Sequence, residues 1–194
     1  MPKVETFNRE EIVVKAMQVF HDKGYNGTSM QDLVDSTGLN RSSIYNSFGN
    51  KLEMFVEVLK YYENLHATRT QKELTSVSNP KEMLRLLFKL LLQDVLKNPD
   101  KKGCMIVNCK SEMANCNSTV KRFLTNNQNN MLKMLQDILE KGVQQKVFNN
   151  KKTTTQYALY LLSAIQGFRM TSILNKNENE LRAIIDTILV PINN

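Results

Sequence analysis

Apolar residues along this chain recur at spacings of three and four, and nearly every such run is bracketed by a capping or turn residue. That pattern specifies helices, and no strand is expected. Glu10 to Lys23 carries Ile12, Val13, Ala16, Met17, Val19 and Phe20 in this register, with Gly24 as a stop signal. Thr28 with Gln31 three residues on predicts a capping box for a short second helix whose Met30, Leu33 and Val34 face inward. Gly38 supplies a tight turn, Asn40 caps a third helix running to about Ser47, and Asn50 with Glu53 caps a long fourth helix reaching toward Lys72.

After the turn signal Ser78-Asn79-Pro80 the chain resumes with MLRLLFKLLLQDVL, apolar on nearly every face, as expected of a helix at the centre of a bundle. A charged loop, Asn98 to Gly103, precedes a short helix from about Cys104 to Ala114. Longer helices are expected over Asn117 to Lys146, Lys152 to Leu174 and Glu178 to Leu189. With seven Gly, four Pro and no Trp in 194 residues, the expected fold is all-α with about nine helices. A small unit of three helices, residues 1–52, would be joined through the fourth helix to a larger unit, residues 53–194.

An apolar content of 41% is ample for a core. No apolar run approaches the roughly 18 residues of a membrane span and no signal-peptide pattern opens the chain, so a cytoplasmic protein is expected. Cys104, Cys109 and Cys116 form no CxxC pair, which points to reduced thiols and no metal or cofactor. His21 and His66 accompany no nucleophile motif, which argues against an enzyme. The net charge of +7 suits a polyanionic partner, yet the first 51 residues hold six Lys/Arg and six Asp/Glu, so the excess lies beyond them. Contact with nucleic acid near the N-terminus therefore depends on particular groups.

Those groups stand in STGLNRSSIYNSFGNK, Ser36 to Lys51, where only Ile44 and Phe48 are available for a core. A capped helix, a Gly turn and a second short helix opening on an arginine and hydroxyls are the parts of a helix-turn-helix, whose second helix enters the major groove. Arg41 can reach guanine O6 and N7, while Ser42, Ser43 and Asn46 can bond bases or phosphates. Tyr45, Lys51, Thr28 and Ser29 complete the expected DNA-binding set, the first two as phosphate contacts and the others at a helix start. The competing possibility is a solvated face on a helical protein that binds a small molecule or partner and does not act through DNA.

Phe20, Gly24-Tyr25, Thr28-Ser29-Met30, Asp32-Leu33, Gly38-Leu39, Ser43-Ile44-Tyr45, Phe48, Asn50-Lys51 and Leu52 resemble, in order and spacing, the N-terminal signature of TetR-type transcriptional regulators. Asn46 and Ser47 depart from it, standing where an aromatic or histidine pair is frequent. Lys102 to Asn108 with Glu112 is similar to a segment at the sixth helix of one branch of that family. The resemblance implies a homodimeric repressor on palindromic operator DNA, released by a small molecule.

Two further sets follow. Tyr157, Leu161, Ala164, Ile165 and Phe168 of the eighth helix, with Leu181, Ile184, Ile185 and Ile188 of the ninth, give more apolar surface than one protomer is expected to cover. The resemblance makes them a dimer interface. Met and Phe residues are first of all core, but Met adapts to cavities, and Asn108 and Asn127 are polar within apolar helices. By the same resemblance Tyr62, His66, Phe88, Met105, Asn108, Phe123, Asn127, Met131 and Met170 would line a pocket for a mainly apolar ligand with one or two hydrogen-bonding groups.

Overall fold

The computed structural model describes residues 7–97 and 102–193. Among these are nine α-helices and a terminal 3-10 turn, and no strand: α1 (Arg9–Gly27), α2 (Met30–Thr37), α3 (Arg41–Phe48), α4 (Lys51–Thr75), α5 (Pro80–Leu96), α6 (Met105–Met113), α7 (Ser118–Gln144), α8 (Thr154–Leu174) and α9 (Glu178–Leu189). The helices expected from periodicity are present, with ends shifted by a few residues. Part of the expected charged loop, residues 98–101, lies outside the described residues.

The caps explain the breaks. Asn50 and Glu53 form the expected capping box at the start of α4, and Asn40 accepts the Ser43 N–H at the start of α3. The box of α2 falls one residue later than expected: Ser29 is the cap and Asp32 its partner, because Thr28 is buried and its hydroxyl donates to Gly24 O at 2.6 Å. Gly24 ends the regular part of α1 at φ 70°, ψ 178°, and Gly38 ends α2 in the left-handed region at φ 75°.

Two hydrophobic clusters hold the chain. In the first, Phe20, Leu33, Ile44, Phe48 and Phe55 join α1 to α4, and Met105, Cys109 and Met113 bring α6 onto the same core. This cluster crosses residue 52, so α6 packs with the N-terminal helices rather than apart from them. In the second, Leu87 and Phe88 of α5, Leu135, Ile138 and Leu139 of α7, Leu161, Ile165 and Phe168 of α8 and Leu181, Ile185 and Ile188 of α9 form one interior. Replacing a fully buried side chain such as Phe88 by Ala would cost about 3–5 kcal/mol.

Candidate nucleic-acid interface and regulatory cavity

α3 is held by its two apolar residues, Ile44 and Phe48, both buried against α1 and α4. With those anchors fixed, helical geometry turns Arg41, Ser42, Tyr45 and Asn46 outward, and all four are exposed. Tyr45 is 48% exposed, so it is no part of the core. Ser43 is half-buried, its N–H capped by Asn40. Arg41 occupies the first position of the helix, where the dipole disfavours a cation, and no acidic residue stands in that turn to offset it. A guanidinium placed against the local field does nothing for the helix and is available to an external anion or base edge.

Three of the expected DNA-facing groups are differently employed. Thr28 is 1% exposed and bonds internally, so its side chain cannot reach a phosphate. Ser29 is exposed, but its hydroxyl donates to Asp32 Oδ2 at 2.8 Å while accepting the Asp32 N–H. Lys23, and then Ser29, holds the Asp32 carboxyl well below the usual carboxylate range. The Lys51 ammonium is engaged within the chain: it donates to Tyr25 O at 2.9 Å and Thr28 O at 2.8 Å and lies 4.3 Å above the Tyr25 ring. Those carbonyls end α1, where Tyr25 O also accepts the Thr28 N–H at 3.4 Å.

The expected dimer set divides. Tyr157, Leu161, Ile165, Phe168, Leu181, Ile185 and Ile188 are buried within a single chain and leave little surface for contact between copies; Ala164 and Ile184 are partly exposed. Tyr157 instead donates to Asn149 Oδ1 at 2.6 Å. α8 is apolar on both faces, so periodicity does not say which one is core. The structure turns Leu159, Ser163, Gly167, Met170 and Leu174 outward, with Leu174 92% exposed and open space around Gly167.

The expected pocket is also redistributed. Phe88 is fully buried, Phe123 packs on the first cluster, and Met170 is on the surface. Met105 and Asn108 line a cleft beneath Gly24, where Asn108 Nδ2 donates to Lys102 O at 2.8 Å. Tyr62, His66, Asn127 and Met131 do converge, on a chamber of about 430 Å³ between α4, α5, α7 and α8, with Leu87, Met134 and Ile165. A second chamber of about 420 Å³ adjoins it and is lined by His21, Lys97, Lys102, Cys104 and Lys176. Tyr62, His66, Leu91, Asp94 and Arg169 belong to both walls.

That shared wall is ionic. Arg69 pairs with Asp94 and also donates to Gln93 Oε1, and His66 Nδ1 stands 3.5 Å from Asp94 Oδ2. Burial works to raise the Asp94 pKa, but hydrogen bonds from His66 and Arg69 outweigh it and the carboxyl titrates below its usual range. Burial, followed by the neighbouring Cys104, pushes the Tyr62 phenol far above its ordinary value. Asn127 Nδ2 donates to Glu63 Oε1 at 2.9 Å. Arg169, Asp94, Arg69, Glu63 and Cys104 were not among the expected ligand residues. One signal could have found Arg169: it is the single charged residue in α8.

A set of polar contacts joins this region to the N-terminal helices. Glu112 of α6 accepts the Tyr25 N–H at 3.0 Å and the Asn26 N–H at 2.7 Å, and any Cβ on Gly24 would lie 2.9 Å from Glu112 Oε2. His21 Nε2 is 3.0 Å from Gly103 O, and Asp22 pairs with Lys102. Burial pushes the Cys109 thiol up to about 12, and all three cysteines are free thiols.

Residues 12–58 match the tetR family of bacterial regulatory proteins, and residues 65–188 match the tetracyclin repressor-like C-terminal domain. The transcriptional regulator YezE of Bacillus subtilis is 30% identical over 113 residues, 58% of each chain, so this chain spans somewhat over half of that relative. The transcriptional repressor KstR2 of Mycolicibacterium smegmatis is 27% identical over 73% of this chain and 68% of its own. Among solved structures, a cysteine mutant of the regulator CifR complexed with 26-bp double-strand operator DNA superposes with a TM-score of 0.82 over 97% of this chain and 98% of that one, at 19% identity.

Proposed function

The chain belongs to the TetR family of helix-turn-helix transcriptional regulators, and from that premise we propose that it is a cytoplasmic repressor that binds palindromic operator DNA as a homodimer and is released by a small molecule. The observation that carries the proposal is the outward face of α3: Arg41, Ser42, Tyr45 and Asn46 are exposed together, with Arg41 held where the helix itself gains nothing from it. These are groups that read base edges and phosphates in the major groove. The repressor relative and the DNA complex of the structural neighbour support the same assignment.

The dimer would form through the exposed face of α8, whose Leu159, Met170 and Leu174 flank the small Ser163 and Gly167. An apolar helical face of this kind suits pairing with its own two-fold mate, and a two-fold axis dictates a palindromic operator. The effector would enter the chambers beside Tyr62 and His66. The apolar side chains of the chamber between α4, α5, α7 and α8 fit a mainly apolar ligand body. α4 runs from the DNA-binding helices into this wall, and Glu112 ties α6 to the end of α1, so a ligand displacing either changes the spacing of the two recognition helices. A coupling of about 1–3 kcal/mol would lower operator affinity roughly 5- to 150-fold.

A gel shift against DNA flanking the protein's own coding region tests the proposal. Wild type should form a discrete complex that Arg41→Ala weakens. No shift at any concentration, with the folded protein still binding small molecules in the chambers, would establish the competing function of a ligand-binding protein that does not act through DNA.

A further inference from the structure

We propose that the two chambers together take one amphipathic anion, with a carboxylate head at Arg169 and an apolar body between α5, α7 and α8. The proposal rests on the effector-controlled function above and names the effector's chemistry.

Arg169 faces both chambers, and its hydrogen-bond partner is the Cys104 sulfur, 3.0 Å from Nη1. Among the described residues no carboxylate pairs with it. A guanidinium carries five donors in a rigid plane suited to a carboxylate, whereas a thiol is a weak acceptor that occupies one of them. A half-buried cation so poorly matched favours any anion that can reach it. Among the described residues, Asp94 is the acidic residue that lines both chambers with Arg169, but Arg69 and His66 hold it. The negative charge of the wall is thus neutralised locally and the positive charge of Arg169 is not. Lys97, Lys102 and Lys176 line the chamber that also holds His21 and Cys104, where Lys102 pairs with Asp22 and Lys176 donates to Val95 O.

The chamber between α4, α5, α7 and α8 fixes the orientation. Leu87, Met131, Met134 and Ile165 line it without lining the other, and Met side chains adapt to an apolar chain of varied shape. Glu63 and Asn127 also belong to this chamber alone, so a negative head is repelled there and directed to Arg169. The Arg169 side chain belongs to both walls, which lets one ligand place its head on the cation and its tail among the methionines.

Titration calorimetry with three head groups on one tail tests this directly: octanoate, octanamide and octyltrimethylammonium, with hexanoate, decanoate and dodecanoate to vary the tail. Octanoate should bind the full-length protein at least about tenfold more tightly than octanamide, and acetate should not match it. Arg169→Gln should bind octanoate and octanamide alike, while Arg169→Lys, which keeps the charge, should retain part of the preference; a circular-dichroism melt confirms that each variant is folded. If Arg169→Gln does not fold, the head-group comparison in wild type decides alone. Equal binding of octanamide, or tighter binding of the ammonium, would overturn the anion while leaving the cavity as an effector site. Acetate binding as tightly as octanoate would overturn the joint use of the two chambers. Binding of none of the probes would overturn both the anion and the effector role of these chambers, while leaving operator binding in the gel shift untouched.

Discussion

α3 and α8 each present to solvent a face that their own fold does not use, and the two faces differ in kind. α3 is eight residues long, buries two side chains and exposes hydrogen-bonding groups, Arg41, Ser42, Tyr45 and Asn46. α8 buries Leu161, Ile165 and Phe168 and exposes Leu159, Met170 and Leu174. Exposed polar groups cost little in water and discriminate among partners by geometry; exposed apolar groups discriminate poorly but gain roughly 25 cal/mol for every Å² they cover. The first face suits a partner met transiently, the second a partner kept. On α8, moreover, the two faces carry similar residues but should respond to mutation in opposite ways.

The largest expected effect follows from that contrast. Leu159→Glu with Met170→Glu, both on the outward face, should give folded monomers by light scattering and lower operator affinity by about a thousandfold or more, since half of the phosphate and base contacts are lost. Ile165→Glu, on the same helix but 2% exposed, should instead unfold the protein, because an unpaired buried carboxylate costs several kcal/mol. A dimeric mass for the outward pair, or a folded monomer for Ile165→Glu, would reverse the assignment of the two faces.

On α3 the effects are smaller and specific. Arg41→Ala should cost about 1–3 kcal/mol of operator affinity and relax the base preference at its position without changing the melting temperature. Lys51→Ala makes the complementary case. Its ammonium serves the carbonyls of Tyr25 and Thr28, so the loss should be about 1 kcal/mol of stability, with the salt dependence of DNA binding unaltered. A salt slope reduced by about one, with stability unchanged, would return Lys51 to the phosphate contacts.

The legibility of the sequence follows the same division. In α3 so few residues are apolar that Ile44 and Phe48 fix the inward direction, and the outward set can be read by elimination. In α8 the apolar residues surround the helix, and periodicity cannot distinguish a face packed on α7 from a face left for a partner; the larger side chains were assigned to the interface and proved to be core. Caps were legible because Asn40 and Asn50 act on their own helices. The internal partners of Thr28 and Lys51, Gly24 O and the carbonyls ending α1, are not legible in the sequence because they come into reach only once Gly24 has turned the chain. Arg169 stands out in the sequence as the single charged residue of α8, but its meeting with Asp94 needed the tertiary fold, since the wall they share is assembled from α4, α5 and α8.

Where the two regions meet, α1 against the start of α6, the smallest effect is expected. Gly103 O can only accept, so His21 donates to it from Nε2, which both the neutral Nε2–H ring and the imidazolium can do. Burial lowers the His21 pKa; the Gly103 carbonyl opposes this and the Lys102 charge reinforces it, with a net downward shift. Below about pH 6.5 the unfolded chain therefore takes up a proton that folded His21 resists, and stability falls as pH drops through that value. The carboxylates act in another window: Asp94, whose pKa is depressed, contributes stability that is present above its unfolded value near pH 3.9 and lost further into acid. His21→Gln keeps a donor for Gly103 O and removes the titration. Urea midpoints at fixed protein concentration, taken at about pH 8 and about pH 5.5, should thus lie closer together for the variant than for wild type. Equal separations for the two proteins would place the pH dependence elsewhere and leave His21 as a packing residue between α1 and α6.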